Sequence, residues 1–168
     1  IRRPPRSTLD RSSAASDVYK RQEYEADREL DYSNSPRATP VIHDGLVYLH
    51  GALGDLHCVR FDTGAVLWRM NFYREYGGKL LAWGSSSPPL IVGDKLIINP
   101  GEPDASVVAL HRKTGKLIWK TPGHAAAYSA FVVGELGDRA RVASLERARL
   151  AHVPGLSGVG RGGVQIRS

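Results

Sequence analysis

The chain has few of the residues that build covalent or metal-bound scaffolds. Its 168 residues include one cysteine, Cys58, and one methionine, and aromatic residues make up only 8%. A single cysteine forms no internal disulfide, and no C-x-x-C pair is present to hold zinc. No apolar run approaches the roughly 18 residues of a membrane-spanning helix, and the first residues lack the apolar stretch of a secretory signal. These absences exclude a disulfide scaffold, a zinc module and a helical membrane bundle.

Charge is distributed unevenly along the chain. The net charge is +6, and residues 1–22 and 138–168 each carry six basic and two acidic residues. Residues 23–137 carry 11 basic and 13 acidic residues. A nucleic-acid-binding surface needs cationic side chains on a folded face beside stacking aromatics, and the two basic ends have almost no aromatics. The charge pattern therefore argues against nucleic acid as a partner.

We expect both basic ends to lie outside the folded part of the chain. Residues 1–22, which include the string SSAASDVYKRQ, resemble translated adapter or vector sequence and are predicted to be a disordered leader. A natural disordered tail is the alternative. Residues 138–168 form an atypical basic tail rich in Gly and Arg, which a slip of the reading frame would explain. Its G-x-G-x-x-G match at residues 158–163 lacks the βαβ setting of a dinucleotide fingerprint.

The middle of the chain, residues 23–137, contains an internal repeat. Pro40–Leu49 aligns with Pro89–Ile98 at an offset of 49 residues. Thr63–Trp68 aligns with Thr114–Trp119 at an offset of 51, so the second copy has two extra residues between these segments. The repeat predicts two structurally equivalent units.

Each unit is predicted to contain four short strands. The units span about 38–70 and 87–121, and a third opens at about Tyr128. Turn residues separate short apolar runs throughout, and only residues 23–31 suggest a helical turn. Four strands in about 50 residues are the signature of a β-propeller blade, so the predicted fold is an all-β partial propeller of four-stranded antiparallel blades with disordered ends.

Six residues mark the equivalent positions of the two units. A single blade cannot bury both faces of its sheet, so Trp68 and Trp119 are predicted to pack against a neighbouring blade rather than stack on a ligand. The glycines are assigned to turns that need a left-handed residue, and the threonines to hydrogen bonds within those turns. The structural repeat positions are Thr63, Gly64, Trp68, Thr114, Gly115 and Trp119.

These positions resemble the pyrroloquinoline quinone (PQQ)-like, or quinoprotein-type, β-propeller repeat of bacteria, A-x-D-x-x-T-G-x-x-x-W. The second unit matches it at Ala109 and from Thr114 to Trp119, whereas Cys58 replaces the alanine in the first unit. Arg60 and His111 replace the aspartate. The stretch WGSSSPPL at residues 83–90 is also similar to bacterial PQQ-binding-like repeat proteins. The resemblance covers residues 35–137 and implies a fragment of a larger propeller.

The resemblance specifies blades and leaves the chemistry open. Some members of the family are dehydrogenases that hold PQQ and calcium on the propeller axis, and others, including outer-membrane assembly lipoproteins, are scaffolds without quinone. The sequence has neither the vicinal cysteine pair of the dehydrogenases nor an acidic cluster with calcium-loop spacing. We therefore assign no catalytic, cofactor-binding or metal-binding residue and expect no cofactor.

Other candidate sites are weak. His43, His50 and His57 recur every seven residues, but the predicted strands place the first near a turn and the others beside a loop, so we expect no shared metal. Ser85–Ser87 fail the G-x-S-x-G elbow because Pro88 interrupts it. Cys58 is predicted to be a packing residue.

The main hypothesis is a non-catalytic binding or scaffold module of the bacterial cell envelope, located in the periplasm. Its protein partner or small ligand would bind the propeller loops, and its other neighbours would be the remaining blades of the native chain. The alternative is a fragment of a PQQ- and calcium-dependent alcohol or sugar dehydrogenase, in which the quinone accepts a hydride equivalent. A sensor domain or a quinone-free hydrolase stays open as a third class.

Overall fold

The structure, a computed structural model, describes the backbone of residues 36–136, 139–143, 145–146 and 149–150 and the side chains of residues 36–134. The predicted leader, the helical turn at residues 23–31 and residues 151–168 of the predicted tail lie outside the described residues. Two four-stranded antiparallel sheets with strands in chain order form the described fold. The predicted all-β class with four-stranded blades is confirmed.

The two sheets have the same strand order and connections. Blade 1 consists of β1 (Val41–His43), β2 (Leu46–His50), β3 (Asp55–Arg60) and β4 (Val66–Asn71). Blade 2 consists of β5 (Leu90–Val92), β6 (Lys95–Ile98), β7 (Val107–His111) and β8 (Leu117–Thr121). Each strand pairs only with its neighbours in the chain, as expected for an antiparallel meander.

Other elements follow each blade. A five-residue helix, α1 (Phe72–Tyr76), begins directly after β4, where the sequence analysis predicted no helix. The Asn71 side chain caps it by accepting a hydrogen bond from the Arg74 N–H at 3.1 Å. After blade 2, hairpins pair β9 (Val132–Leu136) with β10 (Arg139–Ala143) and β11 (Leu145–Glu146) with β12 (Arg149–Leu150). No helix within the described ranges is long and apolar enough to cross a membrane.

The first hairpin of each blade closes with the predicted two-residue turn. In blade 1 the φ angles of Asp44 and Gly45 are 48° and 69°, the pattern of a type I′ turn. In blade 2 Gly93 has a φ of 58°. Both turns suit the right-handed twist of the strands they join.

A β-bulge interrupts the outer strand of both blades at the same place. Cys58 pairs with Trp68 while Val59 pairs with Val66, which leaves Leu67 as an extra residue in β4. Blade 2 repeats the irregularity, with Ile118 as the extra residue in β8. The bulge immediately precedes each closing tryptophan. Because a bulge changes the direction of the side chains that follow it, it helps to set the orientation of the indole.

The apolar core lies in two layers, one on each face of blade 2. The layer between the blades combines buried residues of both sheets, among them Leu46, Leu56, Leu96, Val108 and Leu110. The second layer contains Val92, Ile97, Val107, Ala109 and Phe131, with Trp119 packed against it. The strict alternation of side chains along β6 and β7 explains why one strand supplies both layers.

Trp68 of blade 1 contacts the turn that precedes β8 of blade 2. Its indole Nε1 donates a hydrogen bond to the carbonyl oxygen of Arg112 at 2.9 Å. A Cβ atom added to Gly115 would stand only 2.9 Å from Cδ2 of the indole. Gly115 also has a φ of 69°, which disfavours any side chain. The glycine therefore provides both the turn and the space for the indole.

The side chain of Arg112 in blade 2 reaches back to blade 1 and also connects the blades. Its side chain is only 7% exposed, and its Nη2 donates to Oδ2 of Asp44 in blade 1 at 2.6 Å. Its Nε lies 3.5 Å from Oδ1 of Asp94. Tyr48 is also buried, beside the Arg112 guanidinium. Burial raises the pKa of Tyr48 to about 12, although the nearby Arg112 acts to lower it. A buried guanidinium needs such partners because an unpaired charge is costly in an apolar core.

His50 is the buried titratable side chain at the end of β2. Its ring packs edge-on against Phe72, with centroids 5.1 Å apart. Nδ1 lies 2.9 Å from the carbonyl oxygen of Ser87, so Nδ1 must carry the proton and donate it. Burial lowers the pKa of His50 to about 4. The neutral imidazole therefore ties blade 1 to the segment that leads into blade 2.

We predict that Gly115→Ala destabilises the fold by more than the backbone strain alone. A left-handed φ costs an L-residue about 1–2 kcal/mol, and overlap with the Trp68 indole adds about 1–3 kcal/mol. Chemical denaturation of both proteins measures the difference in the free energy of unfolding.

Gly93→Ala is the matched control for this substitution. Gly93 has a φ of 58°, but a Cβ there would meet nothing within 4 Å. Equal losses for the two variants would show that Trp68 does not rest on Gly115 in solution.

We also predict an acid-side loss of stability through His50. The unfolded chain binds the proton near the ordinary pKa of 6.5, but the folded chain binds it only near 4. The contribution is therefore complete above about pH 6.5 and falls as the pH is lowered to about 4, by on the order of 3 kcal/mol. In His50→Gln the slope of unfolding free energy against pH over this window should flatten. An unchanged slope in His50→Gln would contradict the assignment.

Candidate functional site

The Thr-Gly repeat positions lie in the turns between the third and fourth strands. Oγ1 of Thr63 accepts a hydrogen bond from the N–H of Ala65 at 3.3 Å, and Thr114 Oγ1 lies 3.5 Å from the N–H of Lys116. Gly64 and Gly115 have φ angles of 64° and 69°. These four residues therefore lie in local turns.

The two tryptophans lie in related but unequal surroundings. Trp68 contacts Gly115 and Arg112 of blade 2, as described above. Trp119 packs against the apolar layer that includes Phe131, a residue of the segment after blade 2. Its Nε1 is buried and has no hydrogen-bond partner among the described residues. The indole of blade 2 therefore has the apolar contact of its counterpart without the hydrogen bond.

The three histidines spaced seven residues apart do not converge. His43 is exposed, and its Nε2 lies 3.5 Å from Oδ2 of Asp44. His50 faces the interblade core, whereas His57 belongs to the opposite face of blade 1, because strand side chains alternate. Within the described ranges, no group of three or more His, Cys, Asp or Glu side chains is positioned to hold a metal ion.

A groove of about 350 Å³ lies on the outer face of blade 1, the face turned away from blade 2. Its lining is apolar around Pro40, Leu49 and Val59 and contains three titratable residues, His50, Asp55 and His57. Burial is the main cause of the lowered pKa of His57. Oδ1 of Asp55 already accepts a hydrogen bond from Asn71 at 3.0 Å.

A second cavity, of about 360 Å³, lies beside the first strands of the two blades, β1 and β5. Thr39 and His43 are its polar lining residues, and the others are aliphatic, proline or aromatic: Val41, Ile42, Pro88, Pro89, Leu90, Ile91 and Phe131. PQQ carries several carboxylates and would need cationic or hydrogen-bonding partners, and calcium would need oxygen ligands. Thr39 and His43 supply two hydrogen-bonding groups but no permanent cation and no carboxylate, so these residues do not fit a quinone with calcium.

The serine stretch and the cysteine have structural surroundings. Ser87 Oγ donates a hydrogen bond to the carbonyl oxygen of Ser129 at 2.8 Å. Ser85 is buried, and its N–H donates to the carbonyl oxygen of Ala52 at 2.7 Å. Cys58 is fully buried, and burial raises the pKa of its thiol. A raised pKa disfavours the reactive thiolate, so Cys58 is not an activated nucleophile.

An exposed aromatic pair lies on the segments that follow the two blades. Trp83 is 54% exposed and Tyr128 39%, and their ring centroids lie 5.3 Å apart at an interplanar angle of 31°. The Trp83 N–H donates to the Tyr128 hydroxyl at 3.1 Å, and Arg37 donates to the Trp83 carbonyl oxygen. The pair is therefore held in place by backbone hydrogen bonds while its rings remain accessible.

Sequence reasoning missed two of these features. Arg112 occupies the repeat position held by Phe61 in blade 1, and nothing in the linear sequence distinguishes it from the exposed lysines nearby. Trp83 and Tyr128 are 45 residues apart. No local signal in the sequence indicates that they meet.

A family model described as outer membrane protein assembly factor BamB matches residues 29–150 of the chain. Among curated proteins, the quinoprotein ethanol dehydrogenase of Pseudomonas aeruginosa is 32% identical over 91 residues, which are 53% of this chain and 14% of that protein. The 1-butanol dehydrogenase (quinone) of Thauera butanivorans is 30% identical over 83 residues, 49% of this chain and 13% of that one. The chain thus spans about one seventh of the length of these dehydrogenases.

Solved structures of both kinds resemble the chain. Quinohemoprotein alcohol dehydrogenase from Comamonas testosteroni matches with a TM-score of 0.49 and 19% identity, over 66% of this chain and 19% of that one. BamB from Moraxella catarrhalis matches with a TM-score of 0.42 and 21% identity, over 73% of this chain and 37% of that one. Because the family model matches most of this chain, the chain belongs to the PQQ-like β-propeller family described as outer membrane protein assembly factor BamB.

Proposed function

We propose that the chain is part of a larger propeller that acts as a non-catalytic binding or scaffold module of the bacterial cell envelope, in the periplasm. The observation that carries the proposal is the exposed Trp83–Tyr128 pair, which lies on connecting loops where propellers bind their partners. The description of the matching family as an assembly factor supports a protein as the partner.

The pair has the physical properties of a binding anchor. Tryptophan and tyrosine are enriched among residues that contribute most to protein interfaces, because they bury a large area with few rotatable bonds. Hydrogen bonds from Trp83 to Tyr128 and from Ser87 to Ser129 hold the two loops against each other. Since the loops are already ordered, binding would cost less conformational entropy.

The outer face of blade 1 supports the presence of further blades. Gly64 lines its groove and occupies the position of Gly115, against which Trp68 packs in blade 2. Phe61, at the position of Arg112, is 64% exposed. Another blade of the longer protein would place its closing tryptophan in this groove, as blade 1 does on blade 2.

The alternative function is part of a PQQ- and calcium-dependent alcohol or sugar dehydrogenase. Its support is the identity of 32% with a quinoprotein ethanol dehydrogenase. The described cavity beside β1 and β5 lacks the residues to hold the quinone, so under this alternative other parts of the longer protein would supply them.

Photo-crosslinking tests the binding role. A photoreactive phenylalanine analogue at position 83 or 128 should give a discrete protein adduct in a bacterial envelope preparation, because both rings would lie within the interface. The same analogue at Ile42, which is 60% exposed on β1, is the matched control and should give no such adduct. Equal labelling from all three positions would contradict a partner site on the loops.

Retention of quinone tests the alternative. We expect that PQQ and calcium separate on a desalting column from the intact longer protein, whose other blades would have to supply the ligands that the described cavity beside β1 and β5 lacks. Stoichiometric quinone absorbance that follows the protein would favour the dehydrogenase. Loss of that absorbance on chelation of calcium would identify specific binding.

A further inference from the structure

The outer strands expose apolar side chains at the same positions in both blades. Val66 and Leu67 of β4 are 48% and 47% exposed. Their counterparts in β8, Leu117 and Ile118, are 48% and 43% exposed. Isolated apolar residues on a protein surface need no explanation, but a pair repeated at equivalent positions of two blades forms a pattern. We call these segments, residues 66–69 and 116–120, the outer rim.

The bulges explain why the rim is apolar and exposed. Leu67 and Ile118 are the extra residues of the two bulged strands, with no partner residue in β3 or β7. The tryptophan that follows is turned into the core, while the bulged residue stays outside. The bulge also hinders addition of a further strand at this edge, since it breaks the regular spacing of backbone donors and acceptors.

The charged residues of the outer rim are all basic. Arg69, Lys116 and Lys120 are exposed and flank the apolar side chains. The rim contains no carboxylate, and the nearby Asp62 is already paired with Arg60 at 3.1 Å. Aliphatic side chains between cations match the chemistry of anionic lipid, in which phosphate groups lie above a hydrocarbon layer.

We propose that the outer rim binds the surface of an anionic membrane. Leu67 and Ile118 enter the boundary between headgroups and acyl chains, and the rim cations contact lipid phosphates. Nucleic acid fits less well because the rim exposes no stacking aromatic, and an added peptide strand is disfavoured by the bulges. This surface lies on the blade edges, apart from the Trp83–Tyr128 loops, so the proposal stands independently of the proposed partner site.

Vesicle flotation of the full chain tests the proposal. The probe is phosphatidylcholine vesicles with about 30% phosphatidylglycerol, compared with phosphatidylcholine alone. We expect binding to the anionic vesicles that weakens with salt, and little binding to the neutral ones. L67S/I118S should weaken binding about tenfold by loss of apolar contact, and K116E/K120E by about 25-fold or more.

Matched controls separate the rim from the rest of the chain. I42S removes an apolar side chain that is 60% exposed on β1, and K79E reverses an exposed lysine outside the rim. Both should bind as the wild type does. K20E/R21E reports the contribution of the basic N-terminal end. Thermal unfolding should be unchanged in the rim variants because the substituted side chains are exposed.

Three results would overturn the proposal. The first is that the wild type does not bind, and the second is that the rim variants bind as well as the wild type. The third is that K20E/R21E loses binding while both rim variants keep it. Rim variants that change the oligomeric state without affecting flotation would assign the rim to contacts between protein copies instead.

Discussion

The contact between the Trp68 indole and the backbone of Gly115 fixes how the two blades pack. An indole can approach a main chain this closely only where no Cβ intervenes, and Gly115 meets that condition while closing its own turn. The indole N–H then reaches the Arg112 carbonyl oxygen, and the Arg112 guanidinium reaches back to Asp44. One missing side chain thus permits an apolar contact, a hydrogen bond and an ion pair at a single interface.

The strands and turns could be predicted because their signals are local. The alternation along β2 and the Asp44-Gly45 turn depend only on neighbouring residues, so the sequence was sufficient for both. The bulge at Leu67 was missed because it appears only when β3 and β4 are set in register. The helix α1 was missed since five residues are too few to show a helical period.

The functional features were harder to predict because they depend on distant parts of the chain. The Trp83–Tyr128 pair forms when two loops meet, and its hydrogen bonds join backbone to side chain across 45 residues. The net charge of residues 23–137 concealed the basic outer rim, because their acidic residues lie elsewhere. Conversely, the regular spacing of His43, His50 and His57 does not bring them together, because they lie on three different strands and His50 and His57 face opposite sides of blade 1.

The ion pair between Arg112 and Asp44 makes the order of the blades directional. A blade with arginine at this position needs a preceding blade that presents a carboxylate from its first hairpin, and Phe61 shows that blade 1 makes no such demand. Units that look alike in a repeat alignment are therefore not interchangeable. Exchange of these two modules would leave the buried guanidinium without its carboxylate partner from the preceding blade.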